Sequence, residues 1–123
     1  PKNEIIVSSF SLGWVFAIRY ASDESGKAGS LIWIMGRPRP ISTAGPAESE
    51  WFAKQPHFAP AVGPQGKSVS WQAGQHNANV VLPGVAGGSD SILMFDNGAE
   101  TGGKSDQPTP SRLLQFAIKS RPT

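Results

Sequence analysis

Cysteine is absent from the 123-residue chain. That removes disulfide scaffolds, thiolate zinc sites and cysteine nucleophiles, and it leaves the redox compartment open. Long apolar runs are also missing, and nothing approaches the ~20 residues that span a bilayer as a helix. Charge of one sign is nowhere concentrated: 11 basic residues stand against 9 acidic ones, and five like charges never run together. A nucleic-acid footprint is therefore not expected. Convincing helical periodicity is lacking throughout. The opening "PKNEIIVSS" has neither an initiator Met nor the shape of a signal peptide, so we expect a processed product or a piece of something longer.

What the chain does have is glycine and proline, 14 and 11 of them, with a modest apolar fraction of 38%. This composition favours many short elements and tight turns over long helices. The length suits one domain at most, or part of one.

Six runs read as strands, being rich in β-branched and aromatic residues and bounded by turn residues. "NEIIVSSF" (Asn3–Phe10), "GWVFAIRY" (Gly13–Tyr20) and "SLIWIMG" (Ser30–Gly36) form a first group, whose short spacings suit an antiparallel meander. "QHNANVVL" (Gln75–Leu82), "DSILMFDNG" (Asp90–Gly98) and "SRLLQFAIKS" (Ser111–Ser120) form a second. Pro110 and the alternation within it favour a strand for the last. Between the groups lies a Pro/Gly-rich stretch, 37–70, long enough to suggest a functional or irregular loop. "AESEWFAKQ" within it predicts a short helix pinned by Trp51 and Phe52.

The expected class is all-β. Two groups of three strands hint at repeated four-stranded sheets, the signature of a β-propeller. Six strands make about one and a half such blades, so the chain is expected to be a propeller fragment or a unit that assembles with others. On this reading 1–36 holds the last three strands of one blade, 37–70 the inserted loop, and 71–123 the first three strands of the next.

The order "IIVSS", "SLIWIMG", "WQAGQHNANVV", "ILMFDNG", "PSRLLQFAI" resembles the C-terminal part of the bacterial and fungal arylsulfotransferases. The likeness runs from about Asn3 to Lys119. It implies a six-bladed propeller with its active site in the central channel. It also implies transfer of a sulfuryl group from an aryl sulfate donor to a phenol acceptor through a sulfated histidine. No cofactor or metal is implied, nor any nucleotide donor. Location in the periplasm or outside the cell is implied too.

By its place in the Gln-His-x-Ala motif, the nucleophile is His76. Neutral imidazole is a competent nucleophile near neutral pH, and a covalent intermediate splits one hard transfer into two easier ones. Charge building on the sulfuryl oxygens needs donors aimed at it. The family's arginine at the end of "IIVSSR" falls on Phe10, an aromatic in a substrate-binding position. Arg112, in "PSRL", could present its fork to an oxyanion; the alternative is an ion pair stapling neighbouring sheets. Strict alternation with residue 76 inward puts Ala78 and Val80 on its face, and Gln75, Asn77 and Asn79 on the other.

Plainer roles are expected elsewhere. His57 reads as a surface or loop-packing residue. Asp96-Asn97-Gly98 reads first as turn chemistry. Trp14, Trp33 and Trp71 read as packing between sheets, though one of them could stack an aryl substrate. "GRPRP" at 36–40 has the look of a Pro-rich ligand or an irregular loop. Two rival functions stay open: a non-catalytic propeller that binds a ligand or partner, and a structural protein built by strand pairing between copies. Partners are accordingly the donor and acceptor, the remaining blades or further copies of the chain, with no nucleic acid and no membrane span.

Overall fold

The structure, a computed structural model, describes residues 3–36, 47–59, 64–66, 74–81, 90–97 and 111–118, with only the backbone of 47–49 and 64. Trp71, Gly98 and positions 37–40 of the Pro-rich motif lie outside these residues. The six expected runs are realised as strands β1 (Glu4–Ser9), β2 (Trp14–Arg19), β3 (Leu31–Met35), β4 (Gln75–Val81), β5 (Ser91–Asp96) and β6 (Arg112–Ala117). They form two three-stranded antiparallel sheets, ordered β1-β2-β3 and β4-β5-β6. The fold is thus all-β, relieved by the expected helix α1 (Ala47–Ala53) and one 3₁₀ turn at Pro64–Gly66. Among the described residues no helix is long and apolar enough to cross a membrane.

β1 and β2 turn through residues 10–13, where the Gly13 amide donates to the Phe10 carbonyl at 3.1 Å and Gly13 takes a φ of 67°. Gly36, after β3, comes so close to this turn that a β-carbon would sit 2.6 Å from the Gly13 carbonyl oxygen. At the other end of the sheet, Asp23 organises the β2–β3 connection. Its carboxylate accepts from Asn3 Nδ2 at 2.8 Å, from the Ser25 amide and hydroxyl, and from the Arg19 guanidinium. Those bonds, the one from Asn3 foremost, hold the Asp23 carboxyl well below the usual carboxylate range.

The two sheets stack face to face. Val15, Ala17, Trp33 and Met35 from the first pack against Ile92, Met94 and Ile118 from the second, with Ile6, Ala78, Val80, Leu114 and Phe116 closing the sides. Burying this apolar surface is the main force holding the sheets together. On the other face of the first sheet, α1 packs at one end. Phe52 is buried there with Trp14 and Ile34, its ring 5.5 Å from that of Trp14, and Trp51 stacks on Trp14 from outside. Trp33 therefore packs between sheets as expected. Trp14 instead packs under the helix, because strand alternation points it away from Val15.

Residues 56–58 lie parallel to the edge strand β3. The Ile34 amide donates to the Pro56 carbonyl at 2.9 Å, and the Phe58 amide to the Ile34 carbonyl at 3.0 Å. This satisfies backbone groups that an edge strand otherwise leaves open. The opposite edges, β1 and β4, meet across the interface between the sheets.

Candidate functional site

Gln75 opens β4 and is fully buried. Its Nε2 donates to the Ser9 carbonyl at 2.9 Å and to the Trp14 carbonyl at 3.0 Å, tying β4 to the β1–β2 hairpin of the other sheet. Opposite Gln75 stands Asp96, and opposite Asp96 stands Arg112. Asp96 is fully buried, and Arg112 Nε donates to its Oδ2 at 2.9 Å, with about a third of the Arg112 side chain still exposed. Asp96 belongs to the strand and to this ion pair, and the turn chemistry expected of Asp96-Asn97-Gly98 rests in part on Gly98, which lies outside the described residues. Arg112 thus realises the ion-pair role, but within its own sheet.

His76 faces the other way. It lies opposite Phe95, and Phe95 opposite Leu113, so these three share the outward face of the second sheet. The His76 and Phe95 ring centroids are 5.1 Å apart. The imidazole is half-buried, and no described residue hydrogen-bonds its nitrogens. His57 differs: its Nδ1 lies 2.8 Å from the Gln55 carbonyl and its ring packs on Phe52, the loop-packing role expected of it.

Strict alternation fails inside β4. His76 pairs with Phe95, but the next pair is Asn79 with Leu93, so Asn77 and Ala78 together oppose Met94. Asn77 takes a left-handed φ of 54°, as the first residue of one class of bulge does. The extra residue reverses the faces. Ala78 and Val80 pack into the core between the sheets, while Asn79 and Val81 join His76 on the outward face. The expectation that Ala78 and Val80 flank His76 is corrected accordingly. Sequence reading missed the bulge, although Asn77, an asparagine inside a strand, carries a signal for it.

Phe10 lies in the hairpin turn next to Ser9, which Gln75 grips, and is 48% exposed. The fold therefore brings Phe10, His76 and Arg112 to one end of the stacked sheets. It does not bring them to one face: Arg112 turns inward to Asp96, and His76 turns outward. On the outward face the paired rows are His76, Phe95 and Leu113; Asn79, Leu93 and Gln115; Val81, Ser91 and Ala117. This is a largely apolar face with amides and one imidazole. Among the described residues no three His, Cys, Asp or Glu side chains gather to hold a metal ion.

A protein-family model described as Arylsulfotransferase (ASST) matches residues 1–121. Comparison with curated proteins and with solved structures returns no match.

Proposed function

The chain belongs to the arylsulfotransferase (ASST) family, and from that premise we propose that His76 is the residue that carries the sulfuryl group. The observation that supports this reading is the contrast between the two histidines. The His57 ring is tied to a main-chain carbonyl, while both nitrogens of His76 are without a partner among the described residues, beside an aromatic ring on an open face.

In the proposed reaction, an imidazole nitrogen of His76 attacks the sulfur of an aryl sulfate. The N–S bond forms as the S–O bond to the aryl group breaks, and the phenolate leaves and takes up a proton. A second phenol then attacks the sulfur, gives up its proton, and frees the imidazole. Phe95 and Leu113 offer the apolar surface against which an aryl ring packs. In this reading the donors for the sulfuryl oxygens come from outside this face; on it, Asn79 Nδ2 already serves the Asn77 carbonyl and Gln115 Nε2 the Ser91 hydroxyl. We read the two stacked sheets as parts of neighbouring propeller blades, 1–36 and 71–123, with 37–70 between them. Further blades supply those donors, in a protein that works in the periplasm or outside the cell.

In the whole protein, release of nitrophenol from nitrophenyl sulfate should depend on an added phenol. It should fall at least about a thousandfold in His76→Ala. Mass spectrometry of the enzyme given donor alone should find the sulfuryl group on residue 76. Turnover that survives His76→Ala removes the reading.

One observation favours a second reading, a non-catalytic propeller that binds aromatic ligands. Phe10 stands exposed where the resemblance places an arginine. Loss of a cation at an anion site removes transition-state stabilisation. Under the catalytic reading the native protein turns over and Phe10→Arg speeds it. Under the binding reading the native protein binds phenols without turnover.

A further inference from the structure

We propose that Asn77 is a positioning residue, whose left-handed backbone turns His76 out of the core and onto the open face. The register of β4 carries the argument. From Asn79 to Val81 the strand pairs with β5 as Asn79 with Leu93, Val80 with Ile92 and Val81 with Ser91. Continued without the bulge, that register sets His76 opposite Asp96, on the buried face between the sheets. In the structure Gln75 occupies that place, and His76 stands one step round, opposite Phe95. One extra residue thus exchanges an imidazole for an amide beside a buried carboxylate. A shift of one residue in a strand moves a side chain to the other face of its sheet.

Two features hold the bulge. Asn77 has a φ of 54°, a region that asparagine visits more readily than most L-residues and β-branched residues avoid. Asn79 Nδ2 donates to the Asn77 carbonyl at 2.9 Å, bracing the bulged peptide from the same face as His76. Gln75 fixes the strand on the other side of the bulge through its bonds to Ser9 and Trp14. The imidazole is therefore set between an anchored amide and a braced turn. Its consequence for turnover rests on the sulfuryl-carrier reading of His76. Its consequence for the direction of the imidazole does not.

The test uses the whole protein in four forms: native, Asn77→Gly, Asn77→Ala and Asn77→Val. Diethyl pyrocarbonate modifies accessible neutral imidazole, and mass spectrometry separates modification at His76 from that at His57. His57 lies on the first sheet's edge and reports whether the rest of the fold is intact. With His57 unchanged, the expected order of His76 modification rates is Gly and Asn together, then Ala, then Val. The Val form should be slowest, by up to about tenfold, because a left-handed penalty of that order lowers the bulged population by at most that factor. The turnover number should follow the same order, with the Michaelis constant changing less and Asn77→Gly restoring native behaviour. Equal His76 rates in all four forms overturn the proposal. Should Asn77→Val disturb His57 as well, the Ala form decides, and a native rate there is equally fatal. If the modification order holds while no form transfers sulfuryl groups, the positioning of His76 stands and the carrier reading falls.

Discussion

At the scale of single residues, the two histidines and the glutamine beside one of them show how environment assigns roles. His57 and His76 have the same side chain, yet one is bonded to a carbonyl and the other stands open beside Phe95. Gln75 was expected only as the neighbour of His76, and it proves to be the polar tie between the sheets. Removing its amide takes a donor from two carbonyls, those of Ser9 and Trp14, and empties a fully buried side-chain site. Gln75→Ala should therefore cost about 2–4 kcal/mol, measured as the shift in urea unfolding of the whole protein. His76 was singled out because a motif named it. The tie made by Gln75 was not, since its partners lie 66 and 61 residues away and no local pattern records them. Arg112 shows the same limit from the other side. The sequence left an anion site and an ion pair open, and only the pairing of β5 with β6 chose Asp96.

At the scale of elements, the strands were legible because β-branched and aromatic runs between Gly/Pro-rich turns have few other uses. Which face each residue took was legible only where the strand is regular. In β2 alternation sorts Trp14 and Phe16 from Val15 and Ala17 correctly. In β4 it fails, because a bulge adds a residue that periodicity counts as an ordinary step. The β2–β3 connection carries a prediction of its own. Asp23 is exposed, but its bonds from Asn3, Ser25 and Arg19 favour the ionised form in the folded state. A carboxyl whose folded pKa is depressed stabilises the fold above its unfolded pKa and loses that contribution as pH falls toward the folded value. The stability difference between native protein and Asp23→Ala should then be level from pH 7 to 5. It should shrink as pH drops below about 4, as read from unfolding midpoints across that range.

At the scale of the whole molecule, α1 packs on Trp14 and Ile34 of the first sheet, and no described element packs on the outward face of the second sheet. Leu113 is 68% exposed there, with Phe95 and Val81 beside it. Such a surface is an aggregation hazard when uncovered. The 123-residue chain on its own should self-associate in sedimentation, and Leu113→Lys should shift it toward monomer. A native chain that sediments as a clean monomer contradicts this. The all-β class was legible in composition and pattern, whereas the stacking of the sheets was not, because it rests on contacts between distant parts of the chain. The Gln75 tie has a last consequence, in the order of events during folding. Each sheet is a meander of local hairpins that forms from its own contiguous stretch, and such near contacts form early. The bonds from Gln75 to Ser9 and Trp14 can close only when both meanders exist, which makes them a late latch. Each doubling of the stretch between the sheets adds only about 0.6 kcal/mol to closing that latch. Insertions between the two sheets should thus leave their embrace intact wherever they spare α1 and residues 56–58, which are themselves bound to the first sheet.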